Sequence, residues 1–310
     1  MNRRHAAVEL GGTRVAVVVG EGPGLCSDVV RLATSGPRQT LLSIAGALKG
    51  LNAQGWAFES VAVACFGPLE LDPSSANYGR VLATPKPGWT GADVLGALAE
   101  ELGVPVTIDT DVNAAAVGEG RWGACQGLGQ HAYITAGTGV GAGLCVMGTP
   151  VHGLLHPESG HLRARRDLDL DPFPGVCRWH GDCFEGLASG SAIAERVGRD
   201  PASLEPDDPV WDLAGAYLGQ LCAALAFIVS PQRIVLGGGV GRRPKVLGAA
   251  RFSLAAELGG YLARPRAEDM ESFLVGPELG ADSGLFGALA LAQYHGVQAK
   301  LSANAASPPL

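Results

Sequence analysis

Apolar residues near the start of the chain form two short runs separated by a glycine turn. Residues 7–10 and 15–19 are mostly apolar, and Gly11-Gly12-Thr13 lies between them. Two such runs around a tight turn predict a β-hairpin. The pattern recurs at residues 132–147, where apolar runs flank a second glycine-rich turn. The repetition predicts two related lobes.

Further apolar runs predict buried strands, and longer periodic stretches predict helices. The strands are predicted at residues 61–65, 106–109 and 233–236, and the helices at about 111–120 and 211–229. Strands that alternate with helices indicate an α/β fold, with the lobe boundary near residues 115–130. The stretch 163–179 is rich in charge and proline and is predicted to be a long loop.

Length and charge narrow the class of protein. The chain has 310 residues, which exceeds an average domain of about 150 residues, so two domains with real cores are expected. Apolar residues make up 47% of the chain, which excludes global disorder. The net charge is -7 and the basic residues are scattered, so neither nucleic acid nor an anionic membrane is an expected partner.

Hydropathy and cysteine usage indicate the compartment. No apolar run reaches the roughly 18 residues of a membrane-spanning helix, and the longest, at about 221–229, is too short. Glu9 and Arg14 interrupt what would be the apolar core of a secretion signal. A soluble, cytoplasmic protein is therefore expected. Seven scattered cysteines favour free thiols or metal ligands over a disulfide framework.

Glycine-rich turns follow apolar strands at three places. Glycine lets backbone N–H groups approach an anion closely, so such turns suit phosphate, although each one alone is also typical of an ordinary hairpin. No lysine follows a glycine as in a P-loop, and the second turn continues into a strand rather than a helix, which excludes the dinucleotide fingerprint. The turns are Gly11-Gly12-Thr13, Gly137-Thr138-Gly139 and Gly237-Gly238-Gly239.

Two cysteines and two histidines cluster in the predicted loop. Cys177, His180 and Cys183 form a C-x-x-H-x-x-C spacing, and His161 upstream can complete a tetrahedron. Zinc prefers these ligands. Four protein ligands close the coordination sphere, so a structural zinc is expected rather than a metal that activates water.

Three acidic residues are candidates for chemistry. Glu158 and Glu185 flank the predicted zinc loop and could accept hydrogen bonds from the hydroxyls of a polyol, whereas the alternative is two solvated surface acids. Asp111 stands where a strand becomes a helix. It could cap that helix, or it could be the base that deprotonates an acceptor hydroxyl, and the residues alone leave these two roles even.

Taken together, the motifs resemble the ROK sugar kinases of the actin-like ATPase superfamily, and most closely their bacterial fructokinase branch. The resemblance spans nearly the whole chain. It rests on Glu9-Leu10-Gly11-Gly12-Thr13-Arg14, Ala64-Cys65-Phe66-Gly67-Pro68, Thr84-Pro85-Lys86-Pro87-Gly88-Trp89, Asp109-Thr110-Asp111-Val112-Asn113-Ala114-Ala115, Ala136-Gly137-Thr138-Gly139-Val140-Gly141, His156-Pro157-Glu158-Ser159-Gly160-His161, Cys177 to Ser189 and Leu236-Gly237-Gly238-Gly239-Val240.

The resemblance implies a role for each candidate residue. Asp111 would be the general base toward the 6-hydroxyl of the sugar. The first two glycine turns would bind the ATP phosphates, with Arg14 where the family usually has Lys, and the third turn would lie against adenosine. Residues implied to bind the sugar are Thr110, Glu158, His161, Glu185, Gly67 and Pro68. His161 would also bind zinc with Cys177, His180 and Cys183.

The resemblance also implies the architecture and the reaction. The fold would be a two-lobed, ribonuclease H-like actin-ATPase fold with an interlobe active-site cleft, a smaller lobe at 1–117 joined by a C-terminal helix at 289–300, and a larger lobe at 118–288. Mg²⁺ would arrive with ATP, and a homodimer is expected. Fructose is the expected substrate, since Thr110 and the histidine of the zinc loop differ from glucose-directed relatives. Glucose, mannose or an N-acetylhexosamine are alternatives, and a non-enzymatic sugar-binding protein is a further one. Too few residues precede the first strand for the helix-turn-helix of the family's repressors.

Overall fold

The computed structural model describes residues 4–305 and contains two β-sheets. The strands of this part of the chain are β1 His5–Leu10, β2 Arg14–Gly22, β3 Leu25–Cys26, β4 Val30–Ala33, β5 Val61–Cys65, β6 Val106–Thr110, β7 His131–Ala136, β8 Val140–Val146, β9 Thr149–Pro150, β10 Arg233–Gly237 and β11 Leu274–Val275. The helices are α1 Pro37–Ala53, α2 Val94–Leu102, α3 Asp111–Trp122, α4 Phe184–Ala188, α5 Gly190–Val197, α6 Val210–Val229, α7 Gly238–Gly241, α8 Pro244–Leu258, α9 Met270–Phe273 and α10 Ser283–Ala305. The α/β class is confirmed.

The first sheet begins with the predicted hairpin. Strands β1 and β2 are antiparallel and pair up to Leu10 and Val15, so the first glycine turn joins them. The sheet order is β3-β2-β1-β5-β6, with β4 beside β2, and β5 and β6 run parallel to β1. Every residue of β5 is buried, which explains its uninterrupted apolar sequence, because helices cover both faces of this part of the sheet.

The second sheet repeats this arrangement. Strands β7 and β8 form an antiparallel hairpin around the second glycine turn, and β10 and β11 follow in parallel beside β7. Its order, β9-β8-β7-β10-β11, corresponds to β3-β2-β1-β5-β6 of the first sheet, which has β4 in addition. The second hairpin predicted from the sequence is therefore confirmed, and it belongs to a topological repeat.

The contacts within the chain define two units. The first comprises the described residues of Met1–Trp122, Val151–His156 and Asp282–Leu310, and the second comprises Gly123–Pro150 and Pro157–Ala281. The first unit therefore contains all of α3 and α10. It also takes in a short return segment, Val151–His156, which no pattern in the sequence predicted.

Close packing of α3 against α10 positions the start of α3. A Cβ atom on Gly287 would collide with the carbonyl of Ala114, and one on Gly118 would lie 2.7 Å from the carbonyl oxygen of Ser283. Small side chains on the adjoining face of the first sheet, such as Ala62, let these helices approach the strands. This packing holds α3, and with it Asp111 at its first position, against the first sheet.

Helix α6 corrects one expectation about hydropathy. It is 20 residues long, and by length and composition alone it could cross a membrane, contrary to the prediction that no such stretch exists. More than half of its most apolar stretch is buried within the protein. Gly215 and Gly219 let it pack directly on α8, against Ala249 and Ser253. Its apolar sequence thus reflects burial in the core of the second unit.

Candidate active site

Asp111 is the first residue of α3, immediately after β6. The helix is capped by Thr110, whose Oγ1 accepts the N–H of Asn113 at 3.1 Å. Asp111 therefore does not make this capping bond, although its Oδ1 accepts the Val112 N–H at 2.9 Å. Burial raises the pKa of Asp111 from 3.8 to about 6. A carboxylate with this pKa is ionised at neutral pH and basic enough to accept a proton.

A network of polar contacts centres on Asp109, the residue before Thr110. The Asp109 Oδ1 accepts the Thr110 N–H at 2.7 Å and the Asn113 side-chain amide at 2.8 Å. His152 Nε2 lies 3.1 Å from the Asp109 carboxylate. The hydrogen bond to Asp109 raises the pKa of His152. The return segment is therefore attached to the strand end that presents Asp111.

A second histidine attaches the return segment to the segment after β5. The N–H of Leu69 donates to His156 Nε2 at 3.0 Å, and the N–H of Leu82 donates to the Pro68 carbonyl at 2.8 Å. The Gly67–Pro68 peptide directly before these contacts is cis. Gly67 and Pro68 thus lie in a segment held from both sides within the first unit.

Glu9 is a further carboxyl group close to Asp111. Burial, with the negative charges of Asp111 and Asp282, raises the pKa of Glu9 from 4.5 to about 8. The N-terminus of α10 packs against it, since a Cβ on Gly284 would lie 2.6 Å from Glu9 Oε1. At neutral pH, Glu9 is therefore mostly protonated and neutral, whereas Asp111 is ionised.

The first glycine turn has all of its carbonyl groups occupied. The Gly11 carbonyl accepts from Thr34 Oγ1 at 2.8 Å, and the Thr13 carbonyl accepts from the Thr34 N–H at 3.0 Å. The Gly12 carbonyl accepts from the Lys86 ammonium. A Cβ on Gly12 would meet nothing within 4 Å, so space is open beside it. The Gly11 N–H donates to the Arg14 carbonyl at 2.9 Å, so the N–H groups of Gly12 and Thr13 are the ones this turn can offer to an anion.

The second glycine turn has the same property in the second unit. Its carbonyls at Gly137 and Thr138 accept from the Gly190 N–H at 2.6 Å and from Ser191 Oγ at 2.9 Å. The Gly139 carbonyl accepts from the Gly137 N–H at 2.9 Å. Both donors outside the turn belong to the first turn of α5. The two hairpin turns therefore share one chemical arrangement, although different elements supply the donors.

The third glycine turn joins β10 to α7. Gly238 has φ +81°, and a Cβ there would collide with the backbone of Ala136. A Cβ on Gly237 would collide with Tyr133, whereas Gly239 has open space around its Cβ position. Gly237 and Gly238 are thus required for packing, and Gly239 is the position that leaves room for a ligand.

The four predicted metal ligands converge in the second unit. The ligand atoms of His161, Cys177, His180 and Cys183 all lie within 4.8 Å of one another. Cys177 Sγ is 3.6 Å from His161 Nδ1 and 3.7 Å from His180 Nδ1, and Cys183 Sγ is 3.6 Å from His161 Nδ1. Zinc–sulfur and zinc–nitrogen bonds arranged tetrahedrally separate S and N by about 3.6 Å. The donor set therefore fits a tetrahedral zinc ion.

This group is connected to the second glycine turn. Cys183 directly precedes α4, which carries Glu185, and Glu185 Oε2 accepts the Val140 N–H at 3.2 Å. On the other side, a Cβ on Gly160 would collide with the carbonyl of Val140, so the residue before His161 must be small. A metal bound here would brace both segments against the start of β8. Glu185 thus contacts the turn backbone, a contact that the sequence did not predict.

The predicted residues fall into two groups. Thr110, Asp111, Gly67, Pro68, the first glycine turn and Arg14, which is the exposed first residue of β2, belong to the first unit. Glu158, His161, Glu185, the other two glycine turns and the metal ligands belong to the second. Glu158 has an exposed side chain beside the metal group.

No role was predicted from the sequence for Asp109, His152, Glu9 or Lys86. Three of them lie within motifs that carry the family resemblance, and this position was the only indication of a role in the sequence: Asp109, Glu9 and Lys86. His152 lies outside every quoted motif, and its contact with Asp109 joins residues 43 positions apart.

Comparison with known proteins defines the family. The profile described as "ROK family" matches residues 5–295. The fructokinase of Zymomonas mobilis is 39% identical over 291 residues, which cover 93% of this chain and 96% of that protein. The chain belongs to the ROK family.

Solved structures agree with this assignment. The ROK hexokinase from Thermus thermophilus superposes with a TM-score of 0.76 at 26% identity, covering 95% of this chain and 99% of that one. A ROK family glucokinase from Streptomyces griseus, solved in complex with glucose and AMPPNP, gives a TM-score of 0.74 at 26% identity, covering 94% of this chain and 99% of that one. The predicted actin-like ATPase fold is thereby confirmed.

Proposed function

We propose that this protein is an ATP-dependent fructokinase that transfers the γ-phosphoryl group of Mg-ATP to the 6-hydroxyl of fructose. The observation that carries the proposal is Asp111, a half-buried carboxylate at the start of α3 whose pKa is raised to about 6. The choice of sugar rests on the fructokinase relatives, such as that of Zymomonas mobilis. Two further fructokinases are 35% and 32% identical over most of the chain.

Asp111 would act as the general base. Its carboxylate accepts the proton of the 6-hydroxyl as that oxygen bonds to the γ-phosphorus, and the bond from the phosphorus to the bridging oxygen of ADP breaks. Such transfer has a loose transition state, so positioning and electrostatic stabilisation supply most of the acceleration. The Thr110 cap and the Asp109 network fix the backbone that carries the base.

The glycine turns would bind the nucleotide. The occupied carbonyls of the first and second turns support phosphate binding through their N–H groups. Arg14 adds a cation next to the first turn, and Mg²⁺ enters with the ATP phosphates. The open space at Gly239 supports contact between the third turn and adenosine.

Several side chains offer groups that can bind the hydroxyls of the sugar. Glu158 and His161 offer a carboxylate and an imidazole to its hydroxyls, and Glu185 has one oxygen besides the one that accepts from Val140. Thr110 accepts a hydrogen bond through its hydroxyl and retains the hydroxyl proton to donate. Gly67 and Pro68 would contact the sugar through their backbone.

Zinc would have a structural role at His161, Cys177, His180 and Cys183. All four coordination positions are then protein atoms, so the ion would brace the sugar-binding segment without activating water. Asp182 supports this group from outside, since it pairs with Arg163 and with Arg166.

We also propose a homodimer and a cytoplasmic location. Four aromatic and aliphatic side chains are at least half exposed: Phe227 and Ile228 near the end of α6, Phe252 within α8 and Tyr261 shortly after α8. An exposed apolar group of this kind is typical of subunit interfaces. The use of ATP as phosphoryl donor supports a cytoplasmic location for the protein.

The test is a panel of hexoses incubated with Mg-ATP and the purified protein, with ADP release followed directly. Preferred turnover of fructose is expected. Faster turnover of glucose, mannose or an N-acetylhexosamine would retain the mechanism and change the substrate. Absence of turnover with every sugar, despite binding of sugar and ATP, would instead support a non-enzymatic sugar-binding protein.

A further inference from the structure

The segment Thr84–Trp89 carries part of the family resemblance, yet the proposed function gives it no role. Trp89 anchors it in the first unit, where its side chain is fully buried. The Trp89 indole N–H donates to the Ser35 carbonyl at 2.9 Å, and its ring meets Phe66 edge-on with centroids 5.1 Å apart. Phe66 directly precedes Gly67. The segment is therefore attached to the part of the first unit proposed to contact the sugar.

Lys86 has a restrained backbone within this segment. Pro85 and Pro87 flank it, and each ring fixes its own φ. The Lys86 N–H donates to Thr84 Oγ1 at 3.4 Å, and the Trp89 N–H donates to the Lys86 carbonyl at 3.2 Å. The base of the lysine side chain is thus held relative to the buried tryptophan, so less conformational entropy is lost when its ammonium binds a partner.

The ammonium of Lys86 reaches the first glycine turn, where it donates to the Gly12 carbonyl across 74 residues of sequence. Other lysines of the chain have different partners. Lys49 pairs with Glu101 at 3.1 Å, and Lys245 pairs with Asp212 at 3.1 Å. A carbonyl carries no net charge, so its contact with Lys86 leaves the positive charge of this ammonium available to an anion.

The surroundings of Gly12 have room for that anion. Nothing lies within 4 Å of a Cβ position on Gly12, and the neighbouring carbonyl of Gly11 accepts from Thr34. The turn therefore presents N–H groups and an ammonium around open space. A phosphoryl oxygen is the ligand that this combination of donors suits.

We infer that Lys86 is a catalytic residue whose ammonium binds a non-bridging oxygen of the γ-phosphoryl group that is transferred. The inference rests on the proposed kinase function and extends it to the part of the nucleotide that reacts. Lys86 lies between the phosphate-binding turn and the segment of Phe66 that leads to the sugar contacts. A cation at this place stabilises charge on the phosphoryl group as it passes from ADP to the sugar oxygen.

The test compares Lys86→Met and Lys86→Arg with the matched control Lys49→Met, which removes a surface lysine paired with Glu101. Lys86→Met is expected to lower kcat by about 10²- to 10³-fold, as loss of one transition-state donor does, while the KM for fructose changes less than about threefold. Lys86→Arg is expected to recover part of kcat because it restores the charge. Lys49→Met is expected to stay within about twofold of the wild type.

Binding measurements separate this inference from the proposed function. By calorimetry in the presence of Mg²⁺, Lys86→Met is expected to weaken AMPPNP at least about tenfold and ADP less than about twofold, because ADP lacks the γ-phosphoryl group. This difference can be measured even if no sugar is phosphorylated. Equal weakening of both nucleotides with a lowered Tm would make Lys86 a structural contact and overturn the inference. An unchanged kcat, or a rise only in the KM for fructose, would also overturn it.

Discussion

The pH dependence of sugar phosphorylation tests Asp111 as the base. The pKa of Asp111 is raised by burial from 3.8 to about 6. This difference corresponds to about 3 kcal/mol of lost preference for the ionised form. The basic form is the ionised one, so activity is expected to fall as pH drops through 6. Half of the protein would be active at pH 6, and kcat/KM would be about tenfold below its plateau at pH 5.

Glu9 and His152 also titrate, and each would affect the pH profile in a different way. Glu9 is neutral until about pH 8, so it adds no negative charge near Asp111 across the acidic limb. The pKa of His152 is raised by its hydrogen bond to Asp109, so its charge changes above the limb assigned to Asp111. His152→Gln is therefore expected to leave the limb near pH 6 in place.

The assay measures kcat/KM for fructose at saturating Mg-ATP between about pH 4.5 and 9 at constant ionic strength, with ADP quantified in quenched samples. Asp111→Asn is expected to lower the rate by about 10²- to 10⁴-fold, and its residual activity should lack the acidic limb. A plateau that persists to pH 5 in the wild type would refute the assignment of the base. A limb near pH 6 that survives in Asp111→Asn would refute it as well.

Three further predictions concern zinc, the glycine turns and Glu9. Cys183→Ser is expected to lose the one zinc ion per chain and to lower Tm, and metal analysis that finds equal zinc in both proteins would contradict the ligand assignment. Gly137→Ala is expected to raise the KM for ATP without changing Tm, since the nearest protein atom to the new Cβ would be 4.0 Å away. Gly238→Ala should instead lower Tm, because Gly238 has φ +81°. An unchanged KM for ATP in Gly137→Ala would remove the second turn from the nucleotide site. Glu9 keeps its proton up to about pH 8 in the folded protein but only up to about pH 4.5 in the unfolded chain, so the free energy of unfolding falls as pH rises through this range, by up to about 1.4 kcal/mol per pH unit. Denaturant unfolding at pH 5 and pH 8 should therefore show that Glu9→Gln gains stability relative to the wild type as pH rises. A stability difference between the two proteins that is the same at both pH values would contradict the raised pKa.

The features that the sequence predicted correctly are those encoded by adjacent residues. The strand at residues 61–65 is a continuous apolar run because both faces of β5 are buried, and the first two glycine turns stand between apolar runs that pair as hairpins. The cluster of Cys177, His180 and Cys183 is also local, since three ligands within seven residues can meet around one ion without help from the rest of the fold.

The hydropathy of α6 shows where local reasoning failed. The helix predicted at residues 211–229 is confirmed as Val210–Val229. The apolar run within it was predicted to be only about 221–229, too short for a membrane span, yet the whole helix is long and apolar enough to cross one. Gly215 and Gly219, within this helix, are the positions at which α8 approaches. Whether a glycine ends an element or serves as a contact depends on the neighbouring element, which periodicity alone does not contain.

By itself, the sequence determined the α/β class, the three glycine turns, the metal-ligand spacing and the family. Tertiary structure alone decided the ionisation of Asp111 and Glu9, because burial and a neighbouring charge set their pKa values. It also decided the contacts of His152 with Asp109 and of Lys86 with Gly12. Residues this distant in sequence meet only when the fold brings their segments together, and no local pattern in the sequence records that closure.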